Sequence, residues 1–133
     1  MNRVSRVQDL VPVGNVLVSV SDKRNLEVLV RGLLSHGGIN ILSTGGTYTR
    51  IAEMVGSADG DRLRRVSDYT GQPEMQGGLV KTLDYKIYLG LLSEPFNDDH
   101  AADRARAGAE LIDMVVVNLY PFEATVASGA DFA

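Results

Sequence analysis

Four short clusters in this 133-residue chain carry side chains from which a binding or catalytic site could be built. Ser43-Thr44-Gly45-Gly46-Thr47 sets hydroxyls and two glycines between an apolar run and a helical stretch. In that setting backbone N–H groups and the positive end of a helix can surround a phosphate, and glycine permits its close approach. The pentapeptide equally fits a plain capped turn, and it is neither a Walker loop nor a dinucleotide fingerprint. Lys23, in Ser21-Asp22-Lys23, falls where a first helical turn is expected. A cation there opposes the helix dipole unless an anion sits nearby, although an exposed lysine needs no such partner. Lys81-Thr82 follows a glycine-rich stretch, where a lysine can neutralise an oxyanion or, once desolvated, exchange a proton; a solvated surface lysine is the plainer alternative. Asn118-Leu119-Tyr120-Pro121-Phe122 closes a long apolar run, so the Asn118 amide offers a donor and an acceptor and the Tyr120 phenol can orient or donate. Tyr120 and Phe122 would also serve as a simple cover over a sheet end. Asp22, Asp68, Asp84 and Glu74 lie in or near these turns, but no pair has a spacing that demands metal or glycosidase chemistry, and they read as caps or solvated groups.

The elements that must position these clusters alternate between strand and helix. Asn15–Val20 is short, β-branched and bounded by turn residues, which predicts a buried strand. Leu26, Leu29, Val30, Leu33 and Leu34 make a helical stripe ending at Gly37-Gly38, with Ser21 or Asp22 as its cap. Ile39–Leu42 predicts a second strand, and a helix carrying Ile51, Ala52, Met54 and Val55 follows the Ser43–Thr47 cluster. Leu63–Val66 predicts a third strand after a polar loop, and Thr70–Gly78 reads as a structured loop, of a length usually kept for function. Ile87–Leu92 predicts a short helix and Ala101–Ala109 a surface helix. Leu111–Leu119 is the strongest strand signal and is expected at the centre of the sheet. The order predicts an α/β fold of three layers, a mostly parallel sheet with helices on both faces. Ligands of such folds gather beyond the carboxyl ends of the strands, where Ser21–Lys23, Ser43–Thr47 and Asn118–Pro121 would all lie.

Bulk properties narrow the partners. The length suits one domain, residues 1–133, and 44% hydrophobic with 23% charged residues is ordinary for a globular chain. With no cysteine and two well-separated histidines, His36 and His100, thiolate-ligated metals and a histidine-rich centre are not expected, which leaves carboxylate ligands for a hard cation open. The start, Met1-Asn2-Arg3-Val4-Ser5-Arg6, lacks the apolar core of a signal peptide, and no run approaches the roughly 20 apolar residues that span a bilayer. A cytoplasmic setting without membrane contact is therefore expected. A net charge of -4 with scattered basic residues argues against nucleic acid, so the expected ligand is a small anion.

Read together, Ser19-Val20-Ser21-Asp22-Lys23, Ser43–Thr47, Val66-Ser67-Asp68-Tyr69-Thr70-Gly71, Pro73-Glu74-Met75, Gly78, Val80-Lys81-Thr82-Leu83 and Asn118–Phe122 resemble the inosine monophosphate (IMP) cyclohydrolase domain of the bifunctional purine biosynthesis enzyme. The resemblance runs from about Asn15 to Ser128. It implies the methylglyoxal-synthase-like fold, shared with the regulatory domain of carbamoyl-phosphate synthetase. It also implies closure of the purine ring of a formamido-imidazole-carboxamide ribonucleotide with loss of water, without metal or organic cofactor. On this resemblance Ser21, Asp22, Lys23, Thr44, Gly45, Gly46 and Thr47 hold the ribose phosphate. Lys81, Thr82, Asn118 and Tyr120 face the base, with Lys81 and Tyr120 as the catalytic pair, and Leu119 is a further substrate-binding residue. A homodimer is implied, as are a formyltransferase part and a further Asp- and Lys-bearing segment, on a continuation of the chain or on a separate one. Three departures stand out: Leu79 replaces an expected arginine, Asp84-Tyr85 replaces His-Pro, and Tyr88 replaces a histidine. They remove one cationic ligand contact. The alternative is a non-catalytic nucleotide-binding regulatory module of the same fold. Methylglyoxal synthase itself would need an aspartate in a Gly-Asp-Pro type motif, and none is found.

Overall fold

The structure is a computed structural model describing Val4 and residues 6–75 and 81–129. Gly78, Leu79 and Val80 lie outside the described residues, as does the end of the predicted Thr70–Gly78 loop. Among the described residues four strands, β1 (Asn15–Ser19), β2 (Asn40–Ser43), β3 (Leu63–Arg65) and β4 (Met114–Val117), pair in parallel in the order β3-β2-β1-β4. The helices are α1 (Leu26–Leu34), α2 (Gly45–Val55), α3 (Val66–Thr70), α4 (Tyr85–Leu92), α5 (Asp98–Ala107) and α6 (Phe122–Ala127), with one 3-10 turn at Gly60–Arg62.

Alternation along the strands divides the core in two, because successive side chains point to opposite faces. Val16, Val18 and Ile41 meet Leu26, Val30 and Leu33 of α1 and Ile51 of α2 on one face. Leu17 and Leu42 meet Val66 and Tyr69 of α3, Ile87 of α4 and Ile112 on the other. This is the three-layer α/β arrangement that the alternating pattern predicts. Arg62 closes the α1–β2 connection by donating to the carbonyls of Leu34, His36 and Ile39 at 2.9, 2.7 and 2.9 Å.

Three expectations are corrected. β4 is the edge of the sheet formed by the described residues, paired with β1 alone, rather than its centre. An apolar run reports that both faces of a strand want cover, but not how many neighbours it has; here Met114, Val115 and Val117 remain 36%, 44% and 62% exposed. Secondly, neither Ser21 nor Asp22 caps α1. The Asp22 carboxylate instead accepts from the N–H of Arg24 two residues on, and α1 starts after Asn25, whose φ of 61° breaks the chain direction. Lys23 therefore precedes the helix rather than sitting in its first turn. Thirdly, Val66 leaves the third strand to open α3, which carries Ser67, Asp68 and Tyr69. The short helix after Lys81 is present and is capped by Asp84, whose carboxylate accepts from Lys86 N–H at 2.8 Å. The surface helix starts earlier than predicted, at Asp98, because the Asn97 side chain caps it by accepting from His100 N–H.

Candidate functional site

Strands β1 and β2 end side by side, and their last residues begin the site. Ser43, fully buried, donates its hydroxyl to the Val18 carbonyl at 2.7 Å, tying the start of the glycine turn to β1. Thr44 exchanges a hydrogen bond with Ser19 at 3.0 Å, and Thr47 donates to the Val20 carbonyl at 3.0 Å while accepting from Val20 N–H at 3.2 Å. The hydroxyls that motif reasoning assigned to a ligand thus also fasten α2 to β1. The glycines lie within α2: Gly45 is its first residue, so the N–H groups of the first turn have no acceptor within the helix. Gly45 has φ of +45°, a backbone conformation that favours glycine, and its Cβ position lies 3.3 Å from the mobile end of Lys81, Nζ.

Asn118 links the last strand to the first. Its Oδ1 accepts from the N–H groups of Ser21 and Asp22 at 2.6 and 3.1 Å, while its Nδ2 donates to the Asp22 carbonyl at 2.9 Å. Lys23 is folded back, its Nζ 3.2 Å from the Val20 carbonyl and 3.4 Å from that of Ser21. The Asp22 carboxylate pairs with Arg24, whose hydrogen bond holds its pKa below the ordinary carboxylate value.

These groups surround a polar cavity of about 190 Å³ lined by Ser19, Val20, Ser21, Lys23, Thr44, Gly46, Thr47, Lys81, Asn118 and Tyr120. Of the predicted site residues, Ser21, Lys23, Thr44, Gly46, Thr47, Lys81, Asn118 and Tyr120 are brought together. Asp22, Gly45, Thr82 and Leu119 do not line it; the Leu119 side chain is 92% exposed. Ser19 and Val20 line the cavity without having been predicted, and Glu74, expected as a cap or solvated group, reaches the first residue of α2. Ser19 was visible as the only hydroxyl within β1; Glu74, whose carboxylate accepts from Gly45 N–H at 3.0 Å, had no local signal.

Two ammonium groups and the positive end of α2 meet in this cavity, and among the described residues Lys81 has no hydrogen-bond or ion-pair partner. The arrangement suits a small dianion such as a phosphate monoester. A larger cavity, about 600 Å³, lies between α1 and Met114, but its lining is apolar apart from His36 and the backbone, so it offers little chemistry. Among the described residues no three His, Asp or Glu side chains converge as metal ligands, and no helix is long and apolar enough to cross a membrane.

The profile of the MGS-like domain family matches residues 25–133 of this parallel α/β chain, and the chain belongs to that family. Within it, the chain is homologous to the bifunctional purine biosynthesis protein PurH. It is 49% identical over 125 residues to PurH of Dinoroseobacter shibae, covering 94% of this chain and 22% of the relative. Identity is 47% over 124 residues to PurH of Ruegeria pomeroyi (93% and 22%) and 46% over 125 residues to that of Rhodopirellula baltica (93% and 23%). The crystal structure of ForH superposes with a TM-score of 0.66 at 33% identity, over 80% of this chain and 50% of that one. The chain thus spans somewhat over a fifth of the length of these PurH relatives, and its MGS-like fold agrees with the motif resemblance.

Proposed function

We propose that this domain binds the phosphate end of a purine ribonucleotide precursor and carries part of an IMP cyclohydrolase site. The observation that supports this most directly is the convergence of Lys23, Thr44, Gly46 and Thr47 with Lys81, Asn118 and Tyr120 on one cavity. Its volume of about 190 Å³ is below the ~300 Å³ at which pockets begin to enclose a whole small ligand, so it suits the phosphate and adjoining ribose, with the base extending towards Lys81 and Tyr120. In the ring closure the carboxamide nitrogen forms a bond to the formyl carbon, and the formyl oxygen takes up protons and leaves as water. The Lys81 ammonium would stabilise negative charge building on that oxygen, and the Tyr120 phenol would pass a proton. Held reactants account for much of such a rate, since attack becomes intramolecular.

A second reading, nucleotide binding without ring closure, is favoured by the openness of the base side: Tyr120 is 73% exposed. In the enzymatic reading a further segment or a second copy covers Tyr120 and completes the site, in keeping with a homodimer in the cytoplasm. Calorimetry with inosine monophosphate tests the binding. Lys23→Ala, which removes a charge-assisted contact, should weaken it about tenfold or more, and an absence of binding by the unaltered chain would remove both readings. In the PurH context Lys81→Ala should abolish ring closure with binding largely kept; unchanged turnover would show that Lys81 is not the catalytic lysine.

A further inference from the structure

We infer that Glu74 is an internal competitor for the phosphate site, its carboxylate holding the first amide of α2 immediately beside the cavity; the inference rests on the phosphate reading above. Gly45 opens α2, so its N–H has no acceptor within the helix. That donor is taken by Glu74 Oε1 at 3.0 Å, from a residue 29 positions further along the chain. The Arg65 guanidinium stands 4.0 Å from the same oxygen. Lys81 lies on the same side: the Cβ position of Gly45 is 3.3 Å from Lys81 Nζ and 4.0 Å from Glu74 Oε2. The carboxylate therefore sits where a helix N-terminus and two cationic side chains converge, the environment that an anionic oxygen prefers.

Burial does not explain this placement, because the Glu74 side chain is 32% exposed and has no part in either core cluster. Charge holds it there. A phosphate entering the adjoining cavity, against Gly46, Thr47, Lys23 and Lys81, meets a like charge across one residue of α2. Either the carboxylate leaves Gly45 or the phosphate binds with one amide fewer. Both outcomes lower the apparent affinity, as for any site that is competent only part of the time. With the site empty, the same contact satisfies the first donor of α2 and fastens Glu74 to it.

The test is titration with inorganic phosphate at constant pH and ionic strength, followed by amide NMR shifts of the intact chain, Glu74→Gln and Glu74→Ala. Removing the charge should tighten phosphate binding about tenfold in Glu74→Gln, equivalent to about 1.4 kcal/mol, and in the same direction in Glu74→Ala. The Gly45 amide resonance should move in both variants before any phosphate is added. Should the unaltered chain bind phosphate and both variants bind it equally or more weakly, Glu74 is a structural tether or a ligand and the competitor role is overturned, while the phosphate reading stands. Failure of all three proteins to bind phosphate would overturn both.

Discussion

Replacing Gly90 by alanine puts one methyl group where α4 crosses the segment leading into β4. Its carbon would lie 2.6 Å from the Glu110 carbonyl oxygen, and 2.9 and 3.0 Å from Cγ1 and Cδ1 of Ile112. The side-chain atoms can give way; the carbonyl oxygen can move only with the backbone. In an open helix the same change gains about 1 kcal/mol of helix propensity. Against this, overpacking costs about 1–3 kcal/mol, and moving α4 outward weakens the hydrogen bond from Ile112 N–H to the Gly90 carbonyl, 2.9 Å long, by up to about 1 kcal/mol. The balance is a loss of about 2 kcal/mol, which for a chain of this size lowers the melting temperature by roughly 6–10 °C. Gly32→Ala is the matched control. Gly32 lies inside α1 with nothing within 4 Å of its Cβ position, so there the propensity gain stands alone and the melting temperature should rise by a few degrees. Thermal melts followed by circular dichroism compare the two, and a Gly90→Ala protein melting at or above the unaltered chain would refute the packing reasoning.

Two further outcomes follow from the geometry. Asn118→Ala removes an acceptor of two backbone N–H bonds and a donor to the Asp22 carbonyl, so it should cost about 1–2 kcal/mol in denaturant unfolding and weaken phosphate binding several-fold; unaltered binding would separate this bridge from the site. Burial raises the Tyr69 phenol above its ordinary value of 10.0, so the unfolded chain loses that proton first. Its contribution to stability is complete below pH 10.0 and falls as pH rises through the higher folded-state value. Urea unfolding across that range should show this alkaline decline in the unaltered chain and a shallower one in Tyr69→Phe, even though the variant is weaker at every pH through the loss of the acceptor for Glu110 N–H.

The parts of this fold legible in the sequence are those written in local periodicity. The β-branched run Asn15–Val20, the Leu26–Leu34 stripe and the short helix after Asp84 are all present, because burying one face leaves a period that needs no knowledge of the partner. The clusters at the strand ends were legible for the same reason: parallel topology carries Ser21, Thr44 and Asn118 to one edge whatever the loops do. What stayed hidden depends on distant contacts. The apolar character of Val115 and Val117 was plain, but their place at an edge was not. Asp22 was a reasonable cap until its carboxylate turned to Arg24. Thr44 and Thr47 were recognised as hydroxyls at a turn, while their bonds back to Ser19 and Val20 required β1 to lie alongside. Glu74 reached Gly45 only through the path of the chain between them.

The Asn118 amide has a consequence for how the site comes into being. It joins Ser21 to a residue 97 positions later, so the pocket beside the β2–α2 turn closes only where the ends of β1 and β4 meet. Contacts this far apart form only after a large loop closes, and they are among the last to be rewarded as a chain folds. A chain still lacking β4 would have the Ser43–Thr47 turn and Lys23 but neither Asn118 nor Tyr120 to face them. In the proposed binding role, affinity for a ligand depends on β4 docking against β1, and a ligand present during folding would favour that docked state by mass action.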